Sequence, residues 1–299
     1  MRRAGRLAAV GPHLRARIAE FAPGEAARCG TPPLTGAARL LAAGARQLHP
    51  RTRTAVVSLE GGGSIGVDLW TPHGRKWFAY GFCEPAACAM QALLRPGDVM
   101  IDAGANIGLF TVLAAARVGP HGHVIACEPA TATMQLLREN VARNDFGWVE
   151  LREVALAEEP GRLEMQVFEP GSGFSSFAPA ESARASSIEV DVTTLDDVAG
   201  PLLERTRLVK LDVEGAELRA LRGAGALLER ARPDFIVELE PGHLERQGSS
   251  VAEVKALFDD AGYLGYAISR SGLEPLGGSW HRAAADPNIV VRPKEREGG

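Results

Sequence analysis

Long apolar runs, cysteine and lysine are all scarce in this sequence of 299 residues. No stretch approaches the ~18 consecutive apolar residues of a membrane-spanning helix, so we expect no such helix. The four cysteines are scattered without the spacing of a zinc site, and we expect a reducing, cytoplasmic compartment. The start, Met1-Arg-Arg, lacks the continuous apolar region of a secretory signal.

The composition is that of a globular protein with an unusual first segment. Hydrophobic residues make up 45% and charged residues 23% of the chain, which suits one large α/β domain with an appendage. Residues 1–50 contain eight arginines and two glutamates (+6), so in a chain of net charge -4 the remainder carries -10. A basic arm can bind nucleic acid, but this arm lacks interleaved aromatic residues. We therefore expect a helical extension that packs on the core or on a second subunit of a homo-oligomer.

Predicted strands and helices alternate from residue 98 onward. Before them, residues 7–21 and 37–48 predict short helices, and residues 55–59 and 65–69 flank a Gly-rich turn and predict a hairpin. A further helix is expected to begin near Glu84-Pro85. Later strands are expected at 99–102, 123–127, 149–154, 163–168, 188–192, 208–211, 235–239, 263–268 and 288–291, and later helices at 109–117, 131–142, 214–222 and 251–261. This alternation predicts an α/β fold with a mostly parallel sheet and helices on both faces.

The most informative segment is a strand, a tight turn and a helix. The strand ends in Asp102, and the turn contains Gly104 and Gly108. Glycine has no Cβ, so the backbone can approach a ligand closely there. The next buried strand ends about twenty residues later at Glu128, where a carboxylate can accept hydrogen bonds from both hydroxyls of a ribose. The pattern predicts a nucleotide-binding βαβ unit.

The same turn argues against a dinucleotide. A pyrophosphate requires G-x-G-x-x-G, whereas this chain has Asn106 where the second glycine belongs. Asp102 is a poor neighbour for a phosphate and a good one for a cation. S-adenosylmethionine carries a sulfonium, an ammonium and a ribose but no phosphate, so it fits better than a nicotinamide cofactor.

A second chemical centre surrounds Asp212. Strand alternation places Lys210 and Asp212 on the same side, and Glu214 and Glu217 are expected three residues apart on one face of the following helix. His243 is expected in a loop at the end of the next strand. The alternatives are structural: Lys210 as an ion-pair partner of Asp212, the glutamates as helix-dipole charges, and His243 as a surface residue. No second carboxylate motif is present, so we expect no metal site.

Acidic residues follow several predicted strands. Open α/β sheets bind ligands at the carboxyl ends of their strands. Asp102, Glu128, Asp212 and Glu238 all lie at such ends, so we expect them to line one rim of the sheet.

Six short motifs carry a family resemblance. In chain order they are Asp102-Ala-Gly-Ala-Asn-Ile-Gly108, Glu128-Pro129, Gly173-Phe-Ser-Ser176, Thr194-Leu-Asp-Asp197, Lys210-Leu-Asp-Val-Glu-Gly-Ala-Glu217 and Pro233 to Glu238. Together they resemble the FkbM family of S-adenosylmethionine-dependent methyltransferases. The resemblance covers residues 84–266, with Ala103 where the family often has valine.

The resemblance implies a Rossmann-like class I methyltransferase sheet with an N-terminal helical and hairpin extension. We accordingly divide the chain into a cap, residues 1–80, and a cofactor-binding domain, residues 81–299. The implied activity is methylation of a hydroxyl on a sugar or natural product. The alternatives are N-methylation of a small molecule or peptide, a nicotinamide-dependent oxidoreductase, and an inactive methyltransferase-fold partner protein.

The resemblance and the strand-end pattern together define the candidate site. The predicted catalytic residues are Lys210, Asp212, Glu214, Glu217 and His243. The predicted cofactor contacts are Asp102, Ala103, Gly104, Asn106, Gly108, Glu128, Ala155 and Ser176.

Overall fold

The structure is a computed structural model and describes residues 54–71, 74, 77–78, 84–167, 175–176, 186–269, 271–278, 280 and 287–296. The helices expected within residues 1–50 lie outside these ranges. Nowhere in the ranges described is a helix long and apolar enough to cross a membrane. Cys88 is disulfide-bonded and Cys127 is a buried free thiol. Disulfides are rare in a reducing cytosol, so the disulfide of Cys88 does not support the expected cytoplasmic compartment. That compartment stays a prediction.

Fourteen strands lie in the described ranges. They are β1 Thr54–Ser58, β2 Ser64–Asp68, β3 Val99–Ala103, β4 His123–Cys127, β5 Val149–Arg152, β6 Ala155–Leu156, β7 Gly161–Val167, β8 Ser175–Ser176, β9 Ser186–Thr193, β10 Thr206–Leu211, β11 Asp234–Glu238, β12 Tyr263–Ser269, β13 Gly272–Pro275 and β14 Asn288–Pro293. The α-helices of these ranges are α1 Pro85–Leu93, α2 Leu109–Val118, α3 Thr131–Ala142, α4 Leu195–Ala199, α5 Glu217–Arg222, α6 Pro241–Arg246 and α7 Val251–Asp260.

An eight-stranded sheet forms the centre of the fold. Its order is β13-β12-β14-β11-β10-β3-β4-β5. The five strands from β11 to β5 are parallel, and β14, β12 and β13 pair antiparallel beside them. The chain leaves β3 toward β4 on one side and returns to β10 on the other, so the order reverses between β3 and β10. Ligand crevices of open α/β sheets form at such a reversal. The predicted α/β fold with a mostly parallel sheet is confirmed.

The two faces of the sheet pack against separate apolar clusters. Ile101 and Val209 belong to the cluster under α5 and α7, whereas Met100 and Leu208 belong to the cluster under α1 and α2. This division follows from the two-residue period of a strand. Lys210 lies two residues after Leu208 and so continues the α2 side of the sheet with a charged group.

The hairpin of β1 and β2 packs into the same core as the domain. Its apolar residues join the cluster under α2. Asn144, in the turn just after α3, accepts from the Ser64 backbone N–H at 2.8 Å and donates to the Ser64 carbonyl at 2.8 Å. Asn140 accepts from the Gly66 N–H at 2.7 Å. The hairpin expected from the sequence is therefore confirmed and is fastened to α3 by side-chain amides.

A small four-stranded sheet lies between β5 and β10 in the sequence. Its order is β6-β9-β7-β8. The strands expected at 163–168 and 188–192 are its β7 and β9. The strand expected at 149–154 is divided into β5 and β6, since the chain leaves the central sheet after Arg152 and pairs next with β9.

Two local expectations were wrong. The helix expected at 214–222 begins only at Glu217, because Glu214 has a left-handed backbone (φ 55°) that a helix does not accept. His243 is not in a loop but in the short helix α6, which Pro241 starts in the first turn. The sequence also gave no signal for α4 or β13.

Candidate functional site

The turn after β3 is held by the backbone of the next strand. The amides of Gly104 and Ala105 donate to the Cys127 carbonyl at 3.0 and 2.9 Å. Gly104 has φ 79°, and a Cβ there would lie 1.8 Å from the carbonyl oxygen of Asp212. Glycine is required at this position because the loop after β10 occupies the space, not because a ligand does. The turn and the Asp212 loop are thus in backbone contact.

Glu128 closes the turn from the end of β4. Its Oε2 accepts from the Asn106 N–H at 3.0 Å, and its Oε1 accepts from the Ala130 N–H at 3.0 Å. The side chain is 7% exposed, and burial raises the pKa of Glu128 to about 7. Asn106 has φ 50°, which asparagine tolerates well. Glu128 therefore orders the turn and retains acceptor capacity, since a carboxylate has about four lone-pair sites.

Asp102 lies beneath the rim, not on it. It is fully buried, and its Oδ2 accepts from the Thr111 hydroxyl at 2.5 Å. Its Oδ1 is buried and has no hydrogen-bond partner among the described residues. Burial raises the pKa of Asp102, although Lys210 opposes the rise. A buried carboxylate beneath this strand end favours positive charge in the crevice above it and disfavours a phosphate.

An ion pair with a buried ammonium lies at the end of β10, one of the two parallel strands at the reversal point. Lys210 Nζ donates to Asp212 Oδ2 at 2.6 Å and lies 4.4 Å from the centre of the Phe110 ring. Lys210 is also the register partner of Asp102. Burial lowers the pKa of Lys210, but the Asp212 and Asp102 carboxylates outweigh it and raise this pKa overall. Lys210 is held protonated, so it is not a base.

Asp212 stays ionised because of that lysine. Burial raises the pKa of Asp212, but the Lys210 charge and hydrogen bond outweigh it and hold this pKa below its usual value. A hydrogen bond from Glu238 acts in the same direction. The Asp212 side chain is 29% exposed, whereas that of Lys210 is 2% exposed. Asp212 is thus an anion with access to the crevice.

Three further titratable groups converge beside Asp212. Glu214 Oε2 lies 3.0 Å from His243 Nδ1, and donor atoms of Glu214, Glu238 and His243 all lie within 4.8 Å of one another. Burial raises the pKa of Glu214 to about 8 and that of Glu238 to about 9, with the Asp212 charge adding to both. Burial lowers the pKa of His243. The sequence placed Glu238 on the rim, but not beside His243.

Glu217 holds the loop that carries these groups. It is 1% exposed, and its Oε1 accepts from the Val213 and Gly215 amides at 3.1 and 3.2 Å. Burial raises the pKa of Glu217 to about 7. The expectation that Glu214 and Glu217 share a helix face was wrong: one lies in the turn and the other lies under it.

Three further predicted cofactor contacts are Ala103, Ala155 and Ser176. Ala103 and Ala155 are buried, and Ala155 packs with Ala130 under the small sheet. Ser176 lies in β8, and its side chain is outside the described set. Thr111 and Phe110, which lie beside Asp102 and Lys210, were not predicted from the sequence. A hydroxyl within the apolar start of α2 was the available signal.

Comparison with known proteins gives one consistent relationship. The Methyltransferase FkbM domain matches residues 102–264, more than half of the chain. Methyltransferase sdnD of Sordaria araneosa is 30% identical over 207 residues, which cover 59% of this chain and 77% of that protein. Methyltransferase 1 of Beauveria bassiana is 32% identical over 143 residues, with coverages of 42% and 57%. The 31-O-demethyl-FK506 methyltransferase FkbM of Streptomyces tacrolimicus is 30% identical over 159 residues, with coverages of 44% and 60%.

Proposed function

Because the chain belongs to the FkbM methyltransferase family, we propose that it transfers a methyl group from S-adenosylmethionine to a hydroxyl group of a sugar or secondary metabolite. One observation carries the proposal. The turn after β3, which Glu128 holds, is in backbone contact with the loop that contains Asp212. We call the turn with Glu128 the cofactor half of the site and the Asp212 loop with its acidic neighbours the acceptor half. The two halves meet where the strand order reverses. One relative is named as the methyltransferase of 31-O-demethyl-FK506, a name that indicates methylation of an oxygen atom, and this favours a hydroxyl acceptor here.

The residues at the turn fit this cofactor. Glu128 has acceptor capacity left for two ribose hydroxyls, and the spare acceptor capacity of Asp102 favours positive charge nearby. When bound, S-adenosylmethionine supplies an electrophilic methyl group on a positively charged sulfur. The protein's task is then to align the acceptor oxygen with that methyl group, which is largely an effect of proximity.

The acceptor half offers groups that orient a hydroxyl and take its proton. Asp212 is ionised and reaches the crevice, so we assign it the hydrogen bond from the acceptor hydroxyl. Glu214 and His243 lie beside it and are the other candidate proton acceptors. Lys210 and Glu217 are positioning residues, because one holds Asp212 and the other holds the loop backbone. A base of this kind contributes about 10²–10⁴ in rate.

Two alternatives differ in what they require of the site. An amine acceptor is protonated at neutral pH and also needs a base, so N-methylation uses the same residues. In an inactive partner protein, nothing would require Asp212 to stay ionised and 29% exposed, whereas an enzyme uses such a carboxylate to bind the acceptor. Family membership contradicts the nicotinamide-dependent oxidoreductase.

The role of Glu128 provides the first test. Replacing it with alanine removes charge-assisted hydrogen bonds of about 1.5–3 kcal/mol, so affinity for S-adenosylmethionine should fall about tenfold or more. Calorimetry with S-adenosylmethionine and, separately, NAD measures this. Glu139→Ala, an exposed change on α3, is the control and should bind as the wild type does. Equal cofactor affinity in Glu128→Ala, or tight binding of NAD, would overturn the assignment.

Cofactor affinity should also depend on pH. Burial raises the pKa of Glu128 to about 7 in the ligand-free protein, whereas hydroxyl donors favour its charged form and lower the pKa on binding. Affinity should therefore rise from pH 6 to pH 8 by about tenfold and level off above that, following about one decade per pH unit below the pKa. Calorimetry across this range should show the slope in the wild type and a flat profile in Glu128→Gln. A slope that survives in Glu128→Gln assigns the titration to another group.

The acceptor chemistry is tested by transfer of an isotopically labelled methyl group. The full chain is incubated with labelled S-adenosylmethionine and a panel of hydroxylated sugars and polyketides, with the matching amines as a parallel set. Mass spectrometry then locates the label. Label on nitrogen alone would replace O-methylation by N-methylation.

The division into a cap, residues 1–80, and a methyltransferase domain remains a proposal. The described hairpin shares the core of the domain, so any separate unit lies before it. We place contacts with a second subunit in residues 1–50, where the charge balance differs from the rest of the chain.

A further inference from the structure

We propose that Glu214, Glu238 and His243 form a binding site for one divalent transition-metal ion, with Mn²⁺ as the reference ion. The sequence predicts no metal here, because no second carboxylate motif accompanies Asp212, Glu214 and Glu217. The structure supplies that second motif from β11 and α6.

The geometry of the three side chains carries the proposal. They come from three separate segments: Glu214 from the turn after β10, Glu238 from the end of β11 and His243 from α6. Metal ligands about 2.0–2.2 Å from an ion lie roughly 3–3.5 Å from one another. Glu214 Oε2 and His243 Nδ1 already lie 3.0 Å apart, and all three donor atoms lie within 4.8 Å. The Glu238 carboxyl is hydrogen-bonded to Asp212, and binding of the ion replaces that hydrogen bond.

The donor chemistry favours an ion over a purely acidic patch. Two carboxylates and one imidazole combine hard and borderline ligands, a set suited to first-row divalent metals. The three ligands leave coordination positions open for an acceptor.

The charge around the three residues also favours a cation. Four carboxyl groups, those of Asp212, Glu214, Glu217 and Glu238, surround one buried ammonium, and that ammonium is paired with Asp212. The second oxygen of Glu217 is buried and has no hydrogen-bond partner among the described residues. Arg246 acts on Glu214 from α6, but it is exposed to solvent. An ion at the three ligands adds positive charge beside carboxyl groups that Lys210 and Arg246 only partly offset.

The role of the ion rests on the proposed methyl transfer. A metal held by Glu214, Glu238 and His243 would bind the oxygen of the acceptor and ease transfer of its proton to Asp212, as metal ions do for bound water and alcohols. Open positions on one ion favour an acceptor with two adjacent oxygen atoms, such as a vicinal diol. The proposal therefore narrows the acceptor class.

The test measures metal binding without the reaction. The full chain is stripped with a chelator and titrated with Mn²⁺ alone, while the free-ion signal is followed by electron paramagnetic resonance. We expect one ion per chain, with affinity at least tenfold weaker in both Glu238→Gln and His243→Ala. Glu240→Gln, an exposed change two residues from Glu238, should bind as the wild type does. Each variant is also titrated with S-adenosylhomocysteine, because unchanged affinity there shows that the fold is intact.

The outcomes separate the two proposals. No Mn²⁺ binding by the wild type, or equal binding by intact Glu238→Gln and His243→Ala, overturns the metal site whether or not methyl transfer occurs. Mn²⁺ binding that both variants lose supports the site even if no acceptor is methylated, in which case only the proposed function fails. If a variant loses affinity for S-adenosylhomocysteine as well, the conservative His243→Gln is measured in its place. Mn²⁺ binding that this folded variant retains would count against the site.

Discussion

Replacing Gly104 with alanine should abolish measurable binding of S-adenosylmethionine and lower the free energy of unfolding by about 2–5 kcal/mol. Two costs add. A left-handed backbone costs a residue with a Cβ about 1–2 kcal/mol, and forcing an extra methyl into a packed site costs about 1–3 kcal/mol. The clash is with backbone, since the new Cβ would lie 1.8 Å from the Asp212 carbonyl oxygen. Relief therefore requires one of the two loops to move, and both belong to the site.

The chain contains a matched control for this substitution. Gly97 has a similar backbone, with φ 90° against 79° for Gly104, but a Cβ there would meet nothing within 4 Å. Gly97→Ala should therefore show the backbone cost alone, about 1–2 kcal/mol, with cofactor affinity unchanged. Urea denaturation and calorimetry of the two variants measure the difference. Equal losses of stability and affinity would mean that the contact with Asp212 is unimportant.

Replacing Lys210 with methionine should be the most destabilising change at the ion pair, by about 3–5 kcal/mol. The substitution leaves Asp102 and Asp212 without the buried ammonium that neutralises them, and an uncompensated buried charge is costly. Turnover should fall as well, because Asp212 is then no longer held ionised. Urea denaturation and steady-state kinetics follow the two effects separately.

A double substitution distinguishes charge imbalance from lost packing. Lys210→Met with Asp212→Asn removes both charges of the pair and should be more stable than Lys210→Met alone by about 1–3 kcal/mol. It should nonetheless remain slow in turnover. Lys255→Met is the control, because Lys255 pairs with Asp259 one turn along α7 at a partly exposed position, and such pairs contribute less than about 1 kcal/mol. If the double variant is no more stable than Lys210→Met, the cost arises from packing against Phe110.

The sequence predicted the parallel half of the fold well because its signals are local. Strand β4 and helix α3 lie at the residues expected, since a buried apolar run and a 3.6-residue period are visible within a short window. Pairing of Lys210 with Asp212 was also predictable, because alternate residues of a strand share a face. The antiparallel edge strand β13 and the helix α4 are short and carry no comparable periodicity.

The candidate site was predicted less completely, for physical reasons. Glu217 reads as a surface charge at a helix start, yet it points back under its own loop and binds two amides there. Asp102 lies at a strand end, yet the side chain of Thr111 covers it. In the cluster of Glu214, Glu238 and His243, the last two are five residues apart, but Glu214 precedes Glu238 by 24 residues. Only the pairing of β10 with β11 brings Glu214 to the other two, and no local pattern reports such a pairing.

The contact between Gly104 and the Asp212 carbonyl limits how this fold can acquire new acceptors. The backbone of the acceptor loop cannot shift without disturbing the turn that binds the cofactor, so insertions or deletions between β10 and α5 carry a penalty on both substrates. New specificity is therefore easier to obtain from side chains that project from a loop with a fixed backbone. A loop grafted from a relative would have to preserve this one backbone approach to give a working enzyme.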